Sequence, residues 1–126
     1  LLSVMQAVAS GTLDQVEVRF RQGASCCVML ASQGYPQHYE KGLPITDESG
    51  DLADLVVYHS GTKLEGDRLL TSGGRVLGVT GLGPDLPRAI EKAYQGVERI
   101  HFSNKYYRRD IGQRALSAIR QSKEEA

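Results

Sequence analysis

Arg75-Val76-Leu77-Gly78-Val79-Thr80-Gly81-Leu82-Gly83-Pro84-Asp85-Leu86-Pro87 is the stretch on which the fold turns. Its first half is an apolar, β-branched run of strand length that carries an unusual number of glycines. Glycine within a strand marks close approach of another backbone or of a ligand, or simply tight packing. The second half opens a helix: Asp85 is placed to cap it, Pro87 is tolerated in the first turn, and Leu86, Ile90, Ala93, Val97 and Ile100 share one stripe that ends near His101. Upstream, Leu55-Val56-Val57-Tyr58 reads as a buried strand. Thr62 to Leu64 and Arg68 to Thr71 flank a hairpin turn at Glu65-Gly66-Asp67-Arg68. Cys26 to Ala31 is a further continuous apolar run. Val16-Glu17-Val18-Arg19-Phe20 alternates apolar and charged residues, as a half-buried strand does. Ser32 to Pro36 is turn chemistry, and residues 37–50 read as a loop with at most a short turn of helix. Downstream, a second short helix runs through Ala115, Leu116 and Ile119 and frays into Gln121 to Ala126. The pattern predicts an α+β domain, an antiparallel sheet of about four to five strands with two packed helices.

The chain has 126 residues with 15 basic and 15 acidic side chains, a formal net charge of zero. That length suffices for one domain whose core needs no disulfide or metal staple. The balanced charge supplies no broad positive field, which argues against nucleic-acid or acidic-membrane partners. No apolar stretch has the length of a membrane-spanning helix and no basic-then-apolar leader opens the chain, so a cytoplasmic location is expected. Cys26 and Cys27 are adjacent, so on a strand they point to opposite faces and do not pair. Two buried thiols in a reducing compartment are expected. His38, His59 and His101 show no metal-ligand spacing with them.

Three segments invite a chemical reading. Gly78-Val79-Thr80-Gly81-Leu82-Gly83 before a helix superficially suggests a dinucleotide loop, but counting from Gly81 the sixth position is Leu86, and Asp85 puts a carboxylate where a phosphate would sit. Strand-to-helix punctuation is the better reading. In Thr71-Ser72-Gly73-Gly74-Arg75, two glycines free the backbone to present N–H groups and an arginine adds a planar fork of donors, a combination suited to phosphate. A turn followed by a solvated arginine has the same composition. Lys63, on the neighbouring strand of the hairpin, is available as a point charge. Tyr106-Tyr107-Arg108-Arg109 interleaves aromatic and basic residues, yet four residues make a poor nucleic-acid funnel, and a salt bridge from Asp110 to Arg108 or Arg114 accounts for them. His59 and Ser60 face opposite ways on a strand and make no hydrolase triad.

His59-Ser60-Gly61-Thr62-Lys63, then Thr71-Ser72-Gly73-Gly74-Arg75-Val76-Leu77-Gly78-Val79-Thr80, then Tyr106-Tyr107-Arg108-Arg109-Asp110-Ile111-Gly112-Gln113-Arg114-Ala115 together strongly resemble the carboxy-terminal domain of glycinamide ribonucleotide synthetase, also called phosphoribosylamine-glycine ligase. Ala31 to Pro36 is similar to an early turn of that domain, so the resemblance covers residues 14 to 120. It implies the carboxy-terminal domain of an ATP-grasp ligase, with residues 1–13 the tail helix of the preceding ATP-grasp domain and 14–126 the domain itself. It further implies a cytoplasmic enzyme of purine biosynthesis that joins glycine to 5-phosphoribosylamine. In the family, ATP phosphorylates the glycine carboxylate, magnesium neutralises the phosphates, and the amine attacks the acyl phosphate. The ATP and metal ligands of the family precede this segment, so the chain by itself is expected to be inactive, with the amino-terminal and ATP-grasp domains of a parent chain as its partners. The resemblance assigns Gly73, Gly74 and Arg75, with Lys63 assisting, to the pocket for the phosphate and ribose of the substrate. Arg108, Asp110 and Gly112 match the family's terminal motif and are expected to act as a structural clasp. A free-standing, non-enzymatic module that binds a phosphorylated small molecule or a protein partner is the alternative. The corresponding domain of another ATP-grasp ligase is disfavoured by the motif from Tyr106 to Ala115.

Overall fold

Val28, Leu30, Leu77 and Val79 are fully shielded from solvent, and they face one another on two long strands that form the centre of the molecule. A computed structural model of the chain describes residues 1–124. Strand β1 (Ala24–Ser32) lies antiparallel to a long strand at Arg75–Gly83, with Val28 opposite Val79 and Leu30 opposite Leu77. In chain order the other strands are β2 (Thr46–Asp47), β3 (Leu55–His59), β4 (Thr62–Glu65), β5 (Arg68–Thr71), then that long strand, β6, then β7 (Ile100–His101) and β8 (Lys105–Tyr106). The main sheet has four strands in the order β3-β6-β1-β8, and β2-β7 and β4-β5 form two-stranded ribbons. The helices are α1 (Leu2–Ser10), α2 (Leu86–Glu98) and α3 (Gln113–Glu124). This is an α+β fold with an antiparallel sheet.

Helix α2 covers one face of that sheet. Asp85 caps it by accepting the N–H of Arg88 at 2.9 Å, and Ala89, Ile90, Ala93 and Val97 are buried against the strands. Its glycine neighbours explain the glycine-rich β6. A β-carbon on Gly81 would collide with the helix backbone at Ala89 and Ala93, and one on Gly96 would lie 2.6 Å from Leu55. The close approach is therefore helix backbone on strand backbone, which removes the dinucleotide-loop reading on physical grounds. Past Glu98, Lys105 takes over the helix end by donating to the carbonyls of Val97 at 2.9 Å and Ile100 at 2.6 Å. Burial holds the Lys105 ammonium below its ordinary range.

Several expectations need correction. Val16–Phe20 is not a strand: among the described residues no strand pairs with it, a short 3-10 turn at Leu13–Gln15 precedes it, and Phe20 is 89% exposed. Alternation specifies a strand only where a partner and a buried face exist. The α2 stripe stops at Glu98, because Ile100 and His101 pair with Asp47 and Thr46. The same pairing gives the 37–50 loop a strand of two residues. Pro44 forms a bridge to Leu70, and Leu43 accepts the Thr71 N–H at its carbonyl while donating its own N–H to the Thr71 hydroxyl. Strand β3 is half-buried, with Val56 and Tyr58 on the open face. Cys26 is buried at 6% exposure, but Cys27 is exposed on the opposite face. Of the tail expected to fray, residues up to Glu124 are helical, and residues 125 and 126 lie outside the described residues. No helix among the described residues is long and apolar enough to cross a membrane.

Candidate functional site

An irregularity in the central pair of strands builds the site. Leu30 pairs with Leu77, but Ala31 pairs with Arg75, so Val76 is an extra residue in β6. Strict alternation would send Arg75 to the same side as Leu77, under α2. The bulge instead buries Val76 and Leu77 together and turns Arg75 to the open face. The Val76 carbonyl secures the kink by accepting the N–H groups of Ser60 at 3.0 Å and Gly61 at 3.2 Å.

Arg75 borders a groove of about 170 Å³ on that face, lined by Met29, Ala31, Tyr35, Tyr106, Tyr107, Arg108 and Ile111 beside Arg75 itself. Its walls are apolar and aromatic, and two guanidinium groups reach them. These two differ in their partners. Arg108 is gripped by Asp110 through two bonds of 2.9 and 2.6 Å, and this contact holds the Asp110 carboxyl below its ordinary range. Among the described residues, Arg75 has no carboxylate within salt-bridge distance. Its five donors and full charge are available to an anion.

The glycine pair before Arg75 contributes in a different way from the one its composition suggests. The Gly73 N–H donates to the Gly61 carbonyl at 3.1 Å, and Ser72 donates to the same oxygen at 2.8 Å. The Gly74 carbonyl accepts the Ser32 N–H at 2.8 Å, and the Gly73 carbonyl accepts the Ser32 hydroxyl at 3.2 Å. The pair is thus a close-packed joint between two turns: Gly73 lies against Gly61, and the space a β-carbon on Gly74 would need is filled by the ring of Tyr35. Lys63 is on β4, where its ammonium is paired with Glu65 at 2.6 Å, and it is not among the residues lining the groove.

The terminal motif closes one end of the groove. Tyr107 sends its hydroxyl to Glu98 at 2.7 Å, a bond that with burial raises its pKa, and it receives Lys105 and Arg109 on its ring. Gly112 adopts a left-handed φ of 86° and sits against Ile90, where any side chain would clash. The aromatic and basic residues at 106–109 are thereby divided between the groove and α2. The His59 ring engages Thr62 at 3.0 Å, not Ser60. Tyr35, Met29, Ala31 and Ile111 were not identified from the sequence as site residues. Only the unusual glycine at 74, which leaves room for a ring, could have pointed to Tyr35.

Residues 25–114 match the family profile described as Phosphoribosylglycinamide synthetase, C domain. The chain belongs to that family. As a member of the phosphoribosylglycinamide synthetase C-domain family, it is 47% identical over 122 residues to the phosphoribosylamine-glycine ligase of Synechocystis sp., covering 92% of this chain and 28% of that protein. It is 42% identical to the trifunctional purine biosynthetic protein adenosine-3 of Gallus gallus, covering 98% of this chain and 12% of that one. A crystal structure of phosphoribosylamine-glycine ligase from Thermotoga maritima superposes with a TM-score of 0.68 at 34% identity, over 84% of this chain and 26% of that one. This C domain therefore spans little more than a quarter of the length of the bacterial ligases it matches.

Proposed function

We propose that the chain is the substrate-side domain of a phosphoribosylamine-glycine ligase of purine biosynthesis, acting in the cytoplasm, and that its open groove receives the phosphate end of 5-phosphoribosylamine. The observation that carries this reading is Arg75, an unpaired guanidinium turned by a β-bulge to a largely apolar groove whose other arginine, Arg108, is held by Asp110. In-plane N–H donors suit the oxygens of a phosphate, and the apolar walls raise the strength of each contact by excluding water. Gly73 and Gly74 serve by placing Arg75, through the bonded joint with Ser32 and Gly61. Lys63 assists only from outside the groove, where Glu65 already pairs its charge. The work of the domain is orientation: a phosphate held at one end fixes the amine at the other relative to the activated carboxylate.

ATP and magnesium supply the activation of glycine in this family. Among the described residues no group of three or more His, Cys, Asp or Glu side chains is placed to hold a metal ion. On this reading the magnesium-ATP cradle belongs to ATP-grasp and amino-terminal domains of the parent ligase. Residues 1–13 are read as the tail helix of the preceding domain and 14–126 as the carboxy-terminal domain, which the exposed Leu2, Met5 and Val8 of α1 support. The names of the relatives favour this reading over a free-standing binding module. In the full-length ligase, Arg75→Ala is expected to raise the KM for phosphoribosylamine by about tenfold to a hundredfold, the worth of a charge-assisted contact, and to leave the KM for ATP nearly unchanged. Equal increases in both would sink the assignment.

A further inference from the structure

We infer that Tyr35 is a positioning residue for Arg75, aiming its guanidinium into the groove through the face of its ring; this rests on the phosphate-binding role proposed for Arg75. An arginine with no carboxylate partner is a flexible side chain, and a binding site loses affinity when such a side chain must be ordered on every encounter. A carboxylate would hold the guanidinium but cancel its charge and occupy its donors. An aromatic ring restrains the flat face and leaves the in-plane N–H groups free.

The structure meets each requirement of such a device. The Arg75 guanidinium carbon lies 6.0 Å from the centroid of the Tyr35 ring. The ring is fixed from beneath, because it fills the volume left by the missing side chain of Gly74, the residue next to Arg75. It is fixed from the side by Tyr39, in an edge-on contact of 5.8 Å at 71°. Its backbone is fixed as well: Tyr35 donates to the Ser32 carbonyl at 3.1 Å, and Ser32, itself buried, bonds both Gly73 and Gly74. Ring and guanidinium therefore belong to two turns locked together at the joint that ends in Arg75. The Ser32-to-Pro36 turn and the Gly73-Gly74 pair, separate in sequence, form one mechanical unit.

The test is a set of variants in the full-length ligase. Tyr35→Phe keeps the ring and is expected to retain the wild-type KM for phosphoribosylamine. Tyr35→Leu is expected to raise that KM about tenfold, with kcat and the KM for ATP within about twofold, and to add nothing when combined with Arg75→Ala. If Arg75→Ala leaves the KM for phosphoribosylamine unchanged, the phosphate-binding reading itself fails and Tyr35 loses its role with it. If Arg75→Ala raises it but Tyr35→Leu does not, only the role of Tyr35 is overturned. Should Tyr35→Leu unfold the protein, phenylalanines of increasing fluorination at position 35 keep the volume and weaken the attraction of the ring face. A KM for phosphoribosylamine that climbs with each fluorine supports the inference, and a flat series overturns it.

Discussion

Tyr94 on α2 donates its hydroxyl hydrogen to the Arg108 carbonyl at 2.8 Å. The Tyr94 phenol oxygen in turn accepts the Ile111 N–H at 3.1 Å, so one phenol spans the turn that carries Arg108 and Asp110. The Arg108-Asp110 pair is solvent-exposed on both sides, and such a pair contributes little to stability alone. The clasp is thus anchored by a neutral side chain from the helix, and the charged pair only shapes its tip.

Replacing Tyr94 by Phe removes both bonds without changing the packing of the ring. A loss of about 1 to 2 kcal/mol is expected, because the carbonyl and the amide recover only part of their hydrogen bonding from water. Urea unfolding measures the total, and amide exchange at Ile111 reports the site. Unchanged protection at Ile111 would show that the turn holds without Tyr94.

Gly81 and Gly66 separate two reasons for which a chain keeps glycine. A β-carbon on Gly81 would strike the backbone of α2, whereas Gly66, at a φ of 59°, has open space around it. Gly81→Ala is expected to destabilise by about 3 kcal/mol through forced separation of helix and strand. Gly66→Ala costs about 1 kcal/mol, from the left-handed backbone alone. Thermal unfolding of the two variants side by side checks this, and the opposite order would refute the packing account of β6.

The two adjacent thiols should behave differently. Cys27 is exposed, whereas burial pushes the Cys26 thiol up, with Cys27 beside it adding to the effect. Since the thiolate is the reactive form, a thiol reagent under native conditions is expected to modify one equivalent rapidly, at Cys27. The second equivalent waits for unfolding. Peptide mapping after brief labelling identifies the site, and Cys27→Ser should abolish the rapid phase. Equal labelling at both residues would mean that β1 does not keep its observed face assignment.

The elements that the sequence made legible are those whose signal is local. Asp85, Pro87 and the apolar stripe fixed the start of α2, and the hairpin around Gly66-Asp67 followed from turn chemistry. The end of α2 is hidden in the sequence because Ile100 continues the helical spacing while pairing with Asp47, a partner more than fifty residues away. Val16–Phe20 misleads for the converse reason: its alternation is intact, but no strand among the described residues comes to meet it. In the site, Arg75 was legible and its surroundings were not. Tyr35 reaches it across forty residues of chain, and Gly73 turns out to be spent on holding Gly61, a contact invisible in any local window.

Arg75 owes its position to parity. One additional residue, Val76, stands between it and the regular ladder, and the bulge that takes up this residue decides whether the guanidinium meets solvent or the underside of α2. Removing Val76 would set Arg75 directly beside Leu77, still outward in a regular ladder, but would take away the carbonyl that holds Ser60 and Gly61 and draw the Gly73-Gly74 joint one residue along the strand, whereas lengthening the turn at Gly66-Asp67 leaves the count from Leu77 to Arg75 untouched. The segment between Gly74 and Leu77 is accordingly constrained in its length as well as in its composition.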